Sequence, residues 1–225
     1  MRPTFLLVCV ATVASMAVPG LAHAAGGQSA TPRAPLPFGL RAYVIVDLDS
    51  VAAKESFDAV LGTSQLNAFG GGVEVNEIWK HLFARVAFTR ARKEGSRVFV
   101  NNAQVFPLGI PLTVTMTPIE AGAGWRFVTK SSRLTPYAGA AFLSMAYTET
   151  SKFAESGEDS SERFKGQDVF GGVDVWIVKW LSVAAEAQYR RVPNALGAGG
   201  ASKDFNENDL GGFTARIMVG IRTKR

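Results

Sequence analysis

The chain has 225 residues, 24 lysines and arginines against 19 acidic residues, a net charge of +5 and 47% hydrophobic residues. That length suits one all-β domain, and the basic residues are scattered, so the sequence carries no nucleic-acid footprint. Past residue 24 no apolar run approaches the roughly 20 residues of a spanning helix. The 23 glycines cluster in or beside candidate strands, where barrels use them for close backbone approach.

Residues 1–24 read as a secretory signal peptide. Arg2 supplies the basic start, Phe5 to Val18 the apolar core, and Ala22-His23-Ala24 an A-x-A cleavage site. Cys9, the one cysteine, lies inside this segment, so the exported chain is expected to have no thiol, disulfide or cysteine-based metal site. Residues 25–37 are rich in Ala, Gly and Pro and read as a flexible leader, leaving 38–225 for the folded domain.

The first predicted strand is Phe38 to Asp47. Its faces are ambiguous, because Tyr43, Val44, Ile45 and Val46 are consecutive. A long connection to about Leu66 contains SFDAVLG, a candidate helical turn. The second strand, Asn67 to Glu77, sets Val73 and Val75 against Gly72, Glu74 and Asn76. After a tight turn at Ile78 to Lys80, the third, His81 to Arg92, sets Leu82, Ala84, Val86 and Phe88 against Arg85, Ala87 and Thr89. The long connection Ala91 to Pro111 holds RVFVNNAQVF, whose Asn101-Asn102 centre predicts a hairpin extending its neighbours.

The fourth strand, Leu112 to Phe127, opposes Ile119, Ala121, Ala123, Trp125 and Phe127 to Glu120, Gly122, Gly124 and Arg126, with a bulge or break expected at Pro118. A short turn at Val128 to Arg133 leads to the fifth, Leu134 to Tyr147, with Tyr137, Leu143, Met145 and Tyr147 on its more apolar face. A polar, acidic connection runs from Thr148 to Lys165. Two strands joined at Val178 to Trp180 then carry the clearest period-2 signal. Val169, Val173, Val175 and Ile177 alternate with Gly172 and Asp174, and Leu181, Val183, Ala185, Ala187 and Tyr189 with Ser182, Ala184, Glu186, Gln188 and Arg190. After the connection Val192 to Asp209, the last strand, Leu210 to Arg222, alternates Phe213, Ala215, Ile217, Val219 and Ile221 with Gly212, Thr214, Arg216 and Met218.

Eight predicted strands with connections alternating long and short fit an antiparallel up-and-down transmembrane barrel with short periplasmic turns and longer outer loops. Alternation alone does not say which face meets lipid. A soluble secreted barrel would put the apolar face inside, around an apolar ligand. Every lysine from Lys54 to Lys224 falls in a predicted connection or the tail, whereas exposed strand faces in water carry lysine. The mid-strand charges are arginines and acids, which suits an interior ion-pair network. Aromatic residues near the strand ends (Trp125, Phe127, Tyr137, Trp180, Tyr189 and Phe213) fit interfacial girdles.

TPYAGAAF (Thr135 to Phe142), EAGAGWRF (Glu120 to Phe127) and GGVDVWIVKWLSVAAEAQYR (Gly171 to Arg190) resemble the small outer-membrane β-barrels of the OmpA-barrel and OmpX type. The resemblance is one of pattern over most of the domain. It implies an outer-membrane location, and because no peptidoglycan-binding domain is read after the barrel, a wall-anchoring role is not implied. Such barrels commonly end in an aromatic residue, and this chain departs from that with Ile221-Arg222-Thr223-Lys224-Arg225.

Because the family includes lipid-modifying enzymes, catalytic sets need testing. Beyond the leader the one histidine, His81, falls at a turn on the periplasmic side, away from the outer leaflet, and reads as structural or exposed. No catalytic, cofactor or metal set is expected. Asp204 to Asp209 resembles the start of a calcium loop, but lacks the sixth-position glycine, and its distal glutamate would fall on Ala215, so a solvated loop is preferred. The glycine runs Gly70 to Gly72 and Gly197 to Gly200 are not expected to precede helices and get no phosphate-cradle reading.

Two groups remain as site candidates. Glu74, Arg85, Glu120, Arg126, Asp174, Glu186, Arg190 and Arg216 are expected to fill the interior as a structural ion-pair network, with a polar conduit as the alternative. Arg90, Arg92 and Arg191 share parity with lipid-facing residues at the outer strand ends, in reach of lipopolysaccharide phosphates, although rim snorkelling accounts for them equally. The sequence thus predicts a monomeric, non-enzymatic outer-membrane barrel with a structural or surface-interaction role, against a narrow pore or a soluble ligand-binding barrel.

Overall fold

In the computed structural model, residues 39–101, 104–127, 129, 133–151, 160–197 and 200–223 are described. The expected signal peptide and leader, the centre of the Asn101-Asn102 hairpin and most of the acidic connection lie outside them. Eight antiparallel strands follow one another around a closed barrel: β1 (Gly39–Val51), β2 (Gln65–Trp79), β3 (Leu82–Asn101), β4 (Gln104–Arg126), β5 (Leu134–Thr150), β6 (Ser160–Val178), β7 (Leu181–Arg191) and β8 (Gly212–Arg222). Closure comes from β1 pairing with β8, with Asp47 opposite Arg216 and Ile45 opposite Met218.

The pleat divides each strand between two environments. Outward go Val44, Val73, Phe88, Ile119, Val169, Tyr189 and Ile217, all exposed; inward go Arg41, Asp47, Arg85, Glu120, Glu186 and Arg216, all buried. The soluble barrel with its apolar face inside is therefore excluded. The ambiguous first strand sends Val44 and Val46 out and Tyr43 and Ile45 in. On β5 the more apolar face turns inward. Tyr137, Leu143, Met145 and Tyr147 are buried, while Phe142 on the other face is 80% exposed, so Tyr137 is no girdle residue. Register forces this: Phe142 is paired with outward Ala121, and one pleat cannot send paired residues to opposite faces.

Three boundaries differ from expectation. β3 and β4 continue together past the barrel wall, pairing out to Asn101 opposite Gln104, so the predicted hairpin is an extension of both strands. β4 runs through Pro118. Its register with β3 is the same at Phe88↔Ile119 and Ala91↔Met116, and Pro118 pairs with Met145 on the other side, so the missing N–H interrupts one ladder locally without shifting it. The irregularity lies instead between Ser96 and Val98. Lys93 and Lys165 stand within β3 and β6, because these strands are longer than the apolar alternation alone suggests.

Four inward aromatic residues each face a glycine across the ladder: Tyr43 with Gly72, Phe83 with Gly124, Tyr137 with Gly172 and Phe170 with Gly139. The rings occupy the space that a side chain there would fill. A Cβ on Gly124 would lie 2.4 Å from Phe83 Cζ, and one on Gly72 would lie 2.7 Å from Tyr43 Cε2. Phe83, Tyr137 and Phe170 meet one another at centroid distances of 5.9, 6.3 and 6.4 Å.

At the loop end a second apolar cluster fills the mouth. Met116, Leu143 and Met145 from the wall meet Phe57 and Leu61 from helix α1 (Lys54–Leu61), which the SFDAVLG reading anticipated as a helical turn. Helix α2 (Gly200–Asp204) was not anticipated. It starts at Gly200, the last residue of the Gly197–Gly200 run, where no helix was expected, and the Gly197 N–H donates to Ser202 Oγ. Gly124→Ala should lower the unfolding midpoint in detergent by the equivalent of about 1–3 kcal/mol through overpacking against Phe83. Ala123→Val, one residue along on the outward face, should leave the midpoint nearly unchanged.

Candidate functional site

The eight residues expected to form the interior network all point into the barrel, where they form two groups. In the central group Arg216, 1% exposed, bridges two carboxylates with both edges of its guanidinium. Nε and Nη2 donate to Asp47 at 2.8 and 2.9 Å, and Nη1 and Nη2 to Glu120 at 2.8 and 2.9 Å. Arg190 donates to Glu120 at 2.6 Å and to Asp49 at 3.0 Å. Arg85 grips both oxygens of Glu186, and Gln188 donates to the same carboxylate at 2.6 Å. Planar forks held this way give geometric specificity that lysine could not supply.

The second group lies toward the short turns. Arg126 donates to Glu74 at 2.8 Å and Asp174 at 2.9 Å, and also to Asn76. Arg41 completes it, 2.9 Å from Asp174 and 3.7 Å from Glu74. The aromatic layer separates the two groups and takes a cation on each side. Arg85 stacks on Phe170 with its guanidinium carbon 3.5 Å from the ring centre, and Arg126 on Phe83 at 4.6 Å.

Sequence reasoning missed Arg41 and Asp47 on β1, whose faces could not be assigned, and Asp49, which fell past the expected end of that strand. It also missed Asp168, one position from outward Val169 on a strand whose parity was already known. Asp168 is 2% exposed, and neither carboxylate oxygen has a hydrogen-bond partner. The central group therefore holds more carboxylates than guanidiniums.

Arg90, Arg92 and Arg191 are exposed on the outward face of β3 and β7, toward the loop end. Arg191 pairs with Gln167, next to Lys165 on the same outward face of β6. Lys165 and Arg163 were overlooked because the strand was expected to start later. At the opposite end Trp79, Lys80, His81 and Trp125 cluster at the β2–β3 turn, with ring centres 6.2 Å apart for Trp79 and Trp125 and 5.7 Å for His81 and Trp125. His81 thus packs against a tryptophan at the turn where it was expected.

The calcium-loop-like segment has a different occupation. Glu207 accepts the backbone N–H groups of Glu55 and Ser56 at 3.1 and 2.8 Å and the Ser56 hydroxyl at 2.6 Å. It caps α1, whose own N-cap, Ala53, has no side-chain acceptor. Asp209 accepts from Val192 and Gly211 N–H, both at 2.7 Å. Glu207 thus ties the last loop to the first, and Asp209 braces the last loop across its own two ends.

An apolar exterior around a charged, filled interior defines the class: an eight-stranded transmembrane β-barrel of the outer-membrane type. Among solved structures the chain resembles Neisserial surface protein A, at 16% identity over 84% of this chain and 97% of that one, with a TM-score of 0.49. It also resembles Ail, the attachment invasion locus protein of Yersinia pestis, solved with the heparin analogue sucrose octasulfate (12% identity, 83% and 99% covered, TM-score 0.49). The N-terminal β-barrel domain of Pseudomonas aeruginosa OprF matches at 11% identity over 81% and 97%, with a TM-score of 0.42. No family model and no curated protein matches the chain.

Removing one partner of a buried pair leaves the other charge unpaired, at a cost of about 3–5 kcal/mol. Arg216→Ala should lower the detergent unfolding midpoint by that order, and Arg222→Ala, at the exposed turn end, by less than about 1 kcal/mol. Equal midpoints would remove the central role of Arg216. Asp168→Asn should hold or raise the midpoint, where Asp47→Asn lowers it.

Proposed function

We propose that the chain is an exported, monomeric, non-enzymatic barrel of the outer membrane, with a structural or surface-interaction role carried by the four connections at its loop end. The observation that supports this most is the inversion of the barrel: apolar side chains outside, and arginines and carboxylates paired within. An interior crossed by Arg216, Asp47 and Glu120 at hydrogen-bond distance favours a plug over the conduit reading. The protein should stay with the outer-membrane fraction and run faster on a gel before boiling in detergent than after. In planar bilayers it should give no discrete conductance steps. Recovery without detergent at unchanged mobility would overturn the membrane reading, and regular conductance steps would restore the conduit.

On this reading Arg90, Arg92 and Arg191 engage lipopolysaccharide phosphates at the outer rim. Their support is outward exposure at the loop end, with Lys165 beside Arg191. The triple glutamine variant should retain about tenfold less lipopolysaccharide after detergent extraction, measured per folded barrel. Equal retention would leave these cations as snorkelling side chains.

A further inference from the structure

Between α1, α2 and the extended β3–β4 hairpin lies a cavity of about 340 Å³ that the ion-pair network does not use. This is within the roughly 300–1,000 Å³ typical of small-molecule sites. Its inner lining is apolar and buried: Phe57 and Leu61 from α1, Leu112 and Val114 from β4, and Tyr147 from β5. Leu108 and Leu196 line it nearer the solvent. Its charged members, Arg97 and Glu149, are half-buried. The polarity therefore grades from an apolar floor to a charged rim.

The floor is closed. Beneath Leu112 and Val114 the mouth is packed by Met116, Leu143 and Met145, and below these lie the Arg190–Glu120 and Arg216–Glu120 pairs. A molecule entering from the loop end would stop there. Glu149 already accepts the Tyr147 hydroxyl. Arg97 has five N–H donors and can serve more than one acceptor. Its cation complements an anionic head.

We infer that this cavity is a dead-end binding site for a medium-chain acyl amphiphile with one anionic head, the chain lying on Leu61, Leu112 and Val114 and the head meeting Arg97. A flexible aliphatic chain suits a floor where Leu61, Leu112 and Val114 stand beside the Phe57 and Tyr147 rings. The inference goes beyond the proposed surface role and uses the same loop end, so folding and membrane insertion must be read separately from binding.

Methyl-labelled protein in lipid nanodiscs, titrated with sodium decanoate, tests it. Saturable shifts should be confined to methyls that line the cavity, Leu61, Leu108, Leu112, Val114 and Leu196 among them, with the outward methyls of Val169 and Ile217 changing only linearly. Linear shifts at both sets would mean partition into the bilayer and would overturn the site. Val114→Phe fills the cavity from the wall, and Ala201→Phe fills it from α2 without touching the barrel core. Either variant, if it keeps the heat-dependent gel mobility, should abolish the saturable shifts. Unchanged binding in a folded filled variant would overturn the site. Arg97→Gln should weaken decanoate about threefold to fivefold and leave decan-1-ol unchanged, and an equal loss for both would remove the head-group assignment. Loss of the gel shift in the unmodified protein would count against the membrane reading, independently of any of these results.

Discussion

Arg216 holds the barrel together at its seam. It comes from the last strand, Asp47 from the first, and the two stand opposite each other where β8 meets β1. The same guanidinium reaches across the interior to Glu120 on β4. Closure of the sheet and pairing of the interior charge are thus one event. An unpaired ion in this interior would be costly, so any arrangement of strands that separates Arg216 from Asp47 or Glu120 is strongly disfavoured. Two bidentate contacts on one side chain also select a single register, because a shift of β8 by one residue would turn Arg216 toward lipid.

The interior is layered. Charge lies toward the short turns, aromatic rings next, charge again at mid-barrel, and apolar side chains at the mouth. The layers are coupled by stacking: Arg126 lies against Phe83 and Arg85 against Phe170. Each ring in turn lies in space left by a glycine on the neighbouring strand. Glycine, which weakens a strand in isolation, here lets a small barrel admit rings as well as guanidiniums. Eight strands leave an interior that side chains can fill, and these side chains fill it.

The loop end is organised differently. Helix α1 has no cap of its own, and Glu207 supplies one from the last long connection. Two loops far apart in sequence are fastened over the mouth by one carboxylate. This leaves the cavity beside Arg97 and Glu149 bounded by the lid and by the β3–β4 extension, and sealed below by the mouth cluster. Whatever meets the loop end therefore meets a built surface closed off from the opposite end of the barrel.

Much of this was legible in the chain. A period of two marks which residues share a face, and it placed Glu74, Arg85, Glu120, Arg126, Asp174, Glu186, Arg190 and Arg216 on the side opposite the outward apolar residues. Local pattern also located the strands, the short turns and the helical turn over Phe57. Where periodicity was silent, as in Tyr43 to Val46, the reading lost Arg41 and Asp47, and Asp49 lay beyond the expected end of the strand. Where the apolar face was the inner one, as on β5, it misplaced Tyr137. Which arginine meets which acid, which ring lies over which glycine, and which carboxylate caps α1 were decided by register and closure alone. Those relations join residues on different strands, and alternation within one strand carries no information about its neighbour's offset.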